Sequence, residues 1–145
     1  MRSGRAQRAT HVAAAVAILL LAACMAPPAA PAGVEVSNGT TLAVTIVVNG
    51  VALRAVAPSA GASIPVTQLP PLPWFVEARS PSGRVLTSMT VHAGDVTHTT
   101  TPNGGSEQRG VVGRVDLSCG RLDIWSGPPP IGPMPGPGLP GDCRP

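Results

Sequence analysis

One short segment contains side chains that could bind a metal ion or exchange a proton with a substrate. His92, Asp95 and His98 lie within the sequence His-Ala-Gly-Asp-Val-Thr-His, and imidazoles with a carboxylate are ligands that zinc and copper accept. A glycine and an aspartate between the histidines favour a turn, so the spacing alone does not bring the rings together. We interpret them as solvated histidines flanking a turn, with no metal bound. The alternative is a small metal-dependent or hydrolytic enzyme that uses all three residues.

Motifs for other chemistry are absent from the sequence. There is no Gly-x-Ser-x-Gly element, and a Ser-x-x-Lys motif cannot occur because the chain has no lysine. No glycine-rich loop follows a strand pattern and opens a helix, as a phosphate-binding loop would. Asp116 and Asp123 are accompanied by Arg114 and Arg121, which favours outward-facing ion pairs over paired catalytic acids. The sequence therefore predicts a protein that is not an enzyme and uses no cofactor.

The N-terminal residues contain the most specific motif of the chain. A leader with three arginines precedes the apolar run 12–20, which leads through Leu21-Ala22-Ala23 into Cys24. A basic leader, a short apolar segment and small residues before a cleavage site make a secretory signal. The motif resembles the lipobox of bacterial lipoproteins, in which a diacylglycerol is attached to the cysteine and the chain is cut just before it.

This resemblance implies an exported lipoprotein that begins at Cys24, after a signal peptide formed by residues 1–23. Fatty acyl chains such as palmitate would anchor it to the outer face of the cell membrane or to another envelope membrane. One alternative is ordinary secretion with cleavage within residues 25–32. The other is an uncleaved anchor, although the apolar run to Met25 has about 14 residues and a membrane span needs about 20.

The charge of the chain excludes one class of partner. The whole sequence has ten arginines and seven acidic residues, which gives a formal charge of +3. Three of the arginines precede residue 10, so a chain beginning at Cys24 has seven of each and no net charge. A nucleic-acid-binding protein needs a clustered positive surface to displace counterions. We therefore expect no nucleic acid among the partners.

Two cysteines remain once Cys24 is assigned to the lipid. In an exported, oxidising setting Cys119 and Cys143 are expected to form a disulfide, and two free thiols or a metal-binding pair are the alternatives. Residues Asp116 to Trp125, with the ending Gly141-Asp142-Cys143, resemble a recurring ending of small secreted bacterial proteins of unassigned activity. That resemblance implies no activity for this chain.

Short stretches of alternating apolar and polar residues follow the N-terminal segment, and this pattern is typical of β-strands. Asn49-Gly50 between two apolar runs is a strong hairpin signal, and Ser80-Pro81-Ser82-Gly83 marks a second turn. The predicted strands are 34–36, 41–48, 51–56, 62–67, 74–79, 84–92, 96–101, 111–117 and 121–125, and 102–106 is predicted to be a loop. We predict an all-β fold, an immunoglobulin-like or transthyretin-like β-sandwich, with a small Greek-key barrel as the alternative.

The composition divides the chain into a signal peptide 1–23, a Pro/Ala linker 24–32, a β-sandwich domain 33–126 and a Pro/Gly-rich tail 127–145. We expect the tail to be a structural wrap held by the disulfide, and a recognition segment for aromatic grooves is the alternative.

Phe75 falls on the outer side of its strand. The alternation predicts a core of Leu42, Val44, Ile46, Trp74, Val76, Met89, Val91, Val115 and Leu117.

The features together predict a membrane-anchored envelope lipoprotein. We expect a non-enzymatic binding or structural module, whose partner is a protein or a glycan of the envelope.

Overall fold

The computed structural model describes residues 31–145. The predicted signal peptide, Cys24 and all but the last two residues of the linker lie outside this range. Ten strands and one short 3-10 turn, Val66–Gln68, form the described part. The strands are β1 Gly33–Asn38, β2 Val44–Val48, β3 Val51–Val56, β4 Ala60–Pro65, β5 Trp74–Arg79, β6 Val85–Val91, β7 Thr97–Thr100, β8 Ser106–Arg109, β9 Val111–Leu117 and β10 Gly120–Ser126.

Eight of the strands form two four-stranded sheets. The first sheet has the order β4-β1-β10-β9 and the second sheet has the order β3-β2-β5-β6, and every strand pair is antiparallel. Strands β7 and β8 form a separate two-stranded hairpin. The sheets pack face to face, so the prediction of an all-β sandwich is confirmed. Within residues 31–145 no helix has the length and apolar character that a membrane crossing requires.

The core lies between the two sheets and consists mainly of aliphatic side chains. Val34 and Val36 of β1 and Leu122 and Ile124 of β10 come from the first sheet, and Ile46 is central in the second. Every predicted core residue is buried except Val115, which is partly buried and packs against the same cluster. Each fully buried Val, Leu or Ile contributes about 1.5–3 kcal/mol, so this cluster is the main source of stability.

The hairpin of β2 and β3 is confirmed by its turn geometry. Asn49 and Gly50 have φ angles of 50° and 83°, as a two-residue turn with positive φ at both positions requires. Asn49 also joins this turn to the next strand of the sheet. Its Oδ1 accepts the backbone N–H of Phe75 at 2.8 Å, and its Nδ2 donates to the carbonyl of Pro73 at 3.1 Å.

The hairpin of β7 and β8 differs from the sequence prediction. The predicted loop 102–106 is a shorter turn in which Thr101 N donates to the carbonyl of Gly105 at 2.7 Å. The chain then continues as a strand of sequence Ser-Glu-Gln-Arg, all of whose residues are exposed. Because this strand packs no face on the core, it has no apolar alternation from which it could be predicted.

Antiparallel register gives the sandwich two distinct ends. The linker end is the end where Gly33 pairs with Pro65 and where Ser126 pairs with Val111. The disulfide end is the opposite one, where β1 finishes at Asn38 and where the turn between β9 and β10 contains Cys119.

Candidate functional site

His92 and Asp95 bind each other within one turn after β6. The backbone N–H of His92 donates to Asp95 Oδ2 at 2.7 Å, and His92 Nδ1 lies 3.1 Å from the same oxygen. The first of these hydrogen bonds is the main reason that the pKa of Asp95 lies below its usual range. The carboxylate thus caps its own turn, and the predicted turn between the two histidines is present.

His98 lies apart from this turn, on β7, where it pairs with Gln108 of β8. Both residues line a cleft of about 370 Å³ between the β7–β8 hairpin, Ala32 and the first prolines after β10. Neither His92 nor Asp95 lines the cleft. Among residues 31–145 no group of three or more His, Cys, Asp or Glu residues lies close enough to hold a metal ion.

The outer face of β9 and β10 has two ion pairs, as the alternating arginines and acids predict. Arg114 Nε donates to Asp123 Oδ1, and Arg121 Nε donates to Asp116 Oδ1 at 2.6 Å. Both pairs join residues directly opposite each other on the two strands. They are partly buried, so they are screened less than pairs in open solvent.

Residues 127–145, the C-terminal strap, lie over these ion pairs. Arg121 Nη1 donates to the carbonyl of Pro133, and the backbone N–H of Gly136 donates to Asp116 Oδ2 at 3.0 Å. The hydrogen bond from Arg121, followed by the one from Gly136, lowers the pKa of Asp116 to about 2. Each partner of one ion pair therefore also holds the backbone of the strap.

Two sets of hydrogen bonds and one disulfide fasten the C-terminal end of the strap. Asp142 Oδ1 accepts the backbone N–H of Ser118 at 2.9 Å and its hydroxyl at 2.6 Å. Arg84 Nη2 donates to the carbonyls of Asp142 and Arg144 at 2.6 and 2.9 Å. The pKa of Asp142 is lowered, mainly by the side-chain hydrogen bond from Ser118.

The third fastening is covalent. Cys119 and Cys143 form a disulfide with their Cα atoms 5.9 Å apart, a separation within the usual range for such bonds. The predicted disulfide is thus present. The strap runs from the linker end, where β10 stops at Ser126, to the disulfide end.

Close approach of the strap to the strands also depends on glycine. Gly138 has a φ of 61°, and a Cβ at this position would collide with the backbone N of Ser118. A Cβ at Gly132 would meet the guanidinium of Arg114, which would have to move from its contact with Asp123. Glycine at position 138 therefore lets the strap lie on the turn after β9, and glycine at position 132 avoids displacing Arg114.

The large apolar side chains of the strap point away from the domain. Ile131 is 98% exposed, Met134 is 87% exposed and Leu139 is 75% exposed. Each lies one to three residues from a group that fastens the strap, Pro133, Gly136 or Asp142. The strap therefore combines a fixed backbone with an apolar outer surface.

Comparison of the chain with models of protein families, with curated proteins and with solved structures finds no significant match. The site is therefore interpreted from its own chemistry.

The sequence contains a signal for the fastening of the strap but not for its orientation. Arg114, Asp116, Arg121 and Asp123 alternate on two strands that flank Cys119, which marks a polar outer face beside the disulfide. The directions of Ile131, Met134 and Leu139 depend on the path of the strap across that face. A proline-rich segment has no periodic pattern from which this path could be predicted.

Cys24, the predicted lipidation site, lies outside the described residues.

Proposed function

We propose that this chain is a lipid-anchored binding module of a bacterial cell envelope, attached through Cys24 and without enzymatic activity. The observation that supports it most is the sequence Leu21-Ala22-Ala23-Cys24 after a short apolar run and a basic leader. Two acyl chains or more give the stable attachment that a single chain does not. The partner is a protein or another component of the same envelope.

The distance between Cys24 and β1 fits a module held near a membrane. Eight residues, 25–32, separate the cysteine from Gly33, and an extended chain spans at most about 3.6 Å per residue. The sandwich would then lie within roughly 30 Å of the lipid. The carbonyl of Ala32 accepts the backbone N–H of Val66 at 3.2 Å, so the chain enters the domain at the linker end. In the proposed anchored form this end would lie nearer the lipid than the disulfide end.

A binding role is supported by what the domain exposes. The His92–Asp95 contact is satisfied within its own turn, whereas the strap exposes three large apolar side chains on a fixed backbone. Contiguous exposed apolar surface is typical of interaction sites, and the three side chains lie within nine residues of one fastened segment.

Fractionation of cells that produce the wild-type chain and Cys24→Ala tests the anchor. We expect the wild type in the membrane fraction, with a mass that includes acyl chains and lacks residues 1–23. Cys24→Ala should be soluble or mislocalised. The double variant Cys119→Ser/Cys143→Ser is the matched control, because it removes cysteines outside the lipobox and should stay at the membrane. A Cys24→Ala protein that remains membrane-bound with unchanged mass would disprove the proposal.

A further inference from the structure

The strap is fastened to the domain by polar and covalent contacts rather than by apolar burial. Arg121 and Asp116 hold its middle, and Arg84, Ser118 and the disulfide hold its end. Its three large apolar residues, Ile131, Met134 and Leu139, are all exposed. A segment whose only role is to cover the domain would gain about 1.5–3 kcal/mol for each such side chain that it buried. The strap gains little of this stabilisation, because the three side chains are 75–98% exposed.

The composition of the strap is typical of a polyproline ligand. It has eight prolines in nineteen residues, and it contains the Pro-x-x-Pro sequence Pro130 to Pro133, which includes Ile131. A second such sequence, Pro137 to Pro140, includes Leu139, but Gly138 within it has a φ of 61° and departs from the polyproline conformation. Proline restricts φ and removes hydrogen-bond donors, and aromatic-lined grooves bind such segments because their extended conformation is largely preformed.

Fastening lowers the entropic cost of binding. A free proline-rich peptide still loses the motion of its glycines when it binds, and a segment fixed at both ends has lost most of it already. The contacts at Pro133 and Gly136 fix the backbone on either side of Met134. The strap thus has the properties of a preorganised ligand rather than of a flexible tail.

We propose that the strap is the recognition element of this protein and that it docks, through Ile131, Met134 and Leu139, into an aromatic-lined groove on a partner protein of the envelope. This inference rests on the proposed function, because it names the surface by which the anchored module would bind. The partner is defined by its chemistry: planar aromatic side chains that stack on proline rings, with apolar pockets between them for the three side chains.

Two features favour a protein groove over the lipid surface. The strap extends along the whole length of β9, from the linker end to the disulfide end, roughly 20 Å for seven residues, so its apolar side chains are not gathered beside the anchor. Residues 128–141 include no Lys or Arg, whereas segments that bind anionic lipid surfaces are rich in both.

The test is photo-crosslinking in the cells that make the protein, with p-benzoylphenylalanine placed in the full chain at position 131, 134 or 139. The control position is 51, because Val51 is another exposed apolar residue, 60% exposed, on the edge strand β3 of the second sheet. We expect one protein to be crosslinked from the strap positions and not from position 51. Peptide mapping should place the crosslinks beside Trp, Tyr or Phe residues that line one groove.

A binding measurement with that purified protein completes the test. The triple variant Ile131→Ser/Met134→Ser/Leu139→Ser should bind it on the order of tenfold more weakly than the wild type or more, and Val51→Ser should bind as the wild type does. The three side chains are exposed, so the triple variant should keep the circular dichroism spectrum and melting temperature of the fold.

Several results would overturn the inference. These are crosslinks only to lipid, crosslinks only to a second copy of the chain, no crosslink above that of position 51, or unchanged binding by the triple variant. A partner that binds the triple variant normally leaves the proposed binding module intact and excludes the strap as its recognition element. A Cys24→Ala protein that stays at the membrane would instead count against the proposed anchor.

Discussion

The sandwich core and the strap are stabilised in opposite ways. In the core, Ile46 and its neighbours are buried between two sheets whose backbones hydrogen-bond to each other. In the strap, isoleucine, methionine and leucine face solvent, and the backbone is held by Arg121, Asp116 and the disulfide. The core therefore derives its stability from side chains, whereas the strap leaves its side chains free. The same kind of substitution, made once in the core and once in the strap, tests this difference directly.

The largest expected effect is a difference in stability between two variants, each of which truncates one isoleucine, in the core or in the strap. Ile46→Ala should destabilise the protein by about 2–5 kcal/mol, because it empties a fully buried site. Ile131→Ala should change stability by less than about 0.5 kcal/mol, because its side chain has almost no contacts to lose. Urea unfolding of the two variants measures both values. Equal destabilisation would show that Ile131 packs against the domain in solution.

The second prediction concerns the covalent fastening. Cys119→Ser/Cys143→Ser opens a loop of 24 residues and should cost up to about 3 kcal/mol on the chain-entropy model. The loss should fall below that value because proline already restricts the unfolded strap. Hydrogen exchange should accelerate at the amides of Gly136 and Leu139 and should change less at those of β2. Unchanged protection of the strap would mean that the polar contacts alone hold it.

The third prediction concerns a buried polar side chain inside the sandwich, whose hydrogen bonds hold the neighbouring turn. Asn38 is 1% exposed, and its Nδ2 donates to the carbonyls of Leu42 and Ala57 at 2.8 and 2.9 Å. Its Oδ1 accepts from the backbone and the hydroxyl of Thr40. Asn38→Ala should cost about 1–3 kcal/mol, because buried partners are left unsatisfied. Asn103→Ala, in an exposed turn, is the matched control and should be nearly neutral. A neutral Asn38→Ala would mean that water replaces the lost hydrogen bonds.

The features of the fold that local sequence determines could be predicted. Alternation placed the core face of β2 and β5 correctly, and Asn49-Gly50 predicted the hairpin turn, because both signals depend on neighbouring residues. The strand Ser106–Arg109 could not be predicted in this way, since it is polar on both sides and packs on no core. Its pairing depends on the partner strand Thr97–Thr100.

The candidate site was less predictable for a related reason. The sequence predicts the disulfide because only two cysteines remain once Cys24 is assigned to the lipid. It predicts the outward ion pairs because these require only that β9 and β10 be adjacent. It does not predict that Asn38 is a buried residue, because an Asn-Gly-Thr sequence is typical of an exposed turn. Nor does it predict which way Ile131 faces, because that depends on where Arg121 and Asp116 hold the strap.

The smallest predicted effect is a local change of the strap with pH. Arg121 and the N–H of Gly136 stabilise the ionised form of Asp116, so its pKa is lowered to about 2 in the folded protein, against about 3.9 in the unfolded chain. A lowered folded pKa means that the contribution to stability is complete above the unfolded value. It is lost as the pH falls toward about 2. The contact between Gly136 and Asp116 should therefore persist at pH 5 and weaken only in strong acid.

The amide resonance of Gly136 is the direct measurement of this contact, because its N–H donates to the carboxylate that titrates. In an NMR titration its chemical shift should move with a midpoint near 2, well below that of an unperturbed aspartate. Asp116→Asn should abolish the movement while a core amide such as that of Ile46 stays constant. A midpoint near the unfolded value of about 3.9 would mean that Arg121 does not hold Asp116 in solution, and the strap would then depend mainly on the disulfide, Asp142 and Arg84.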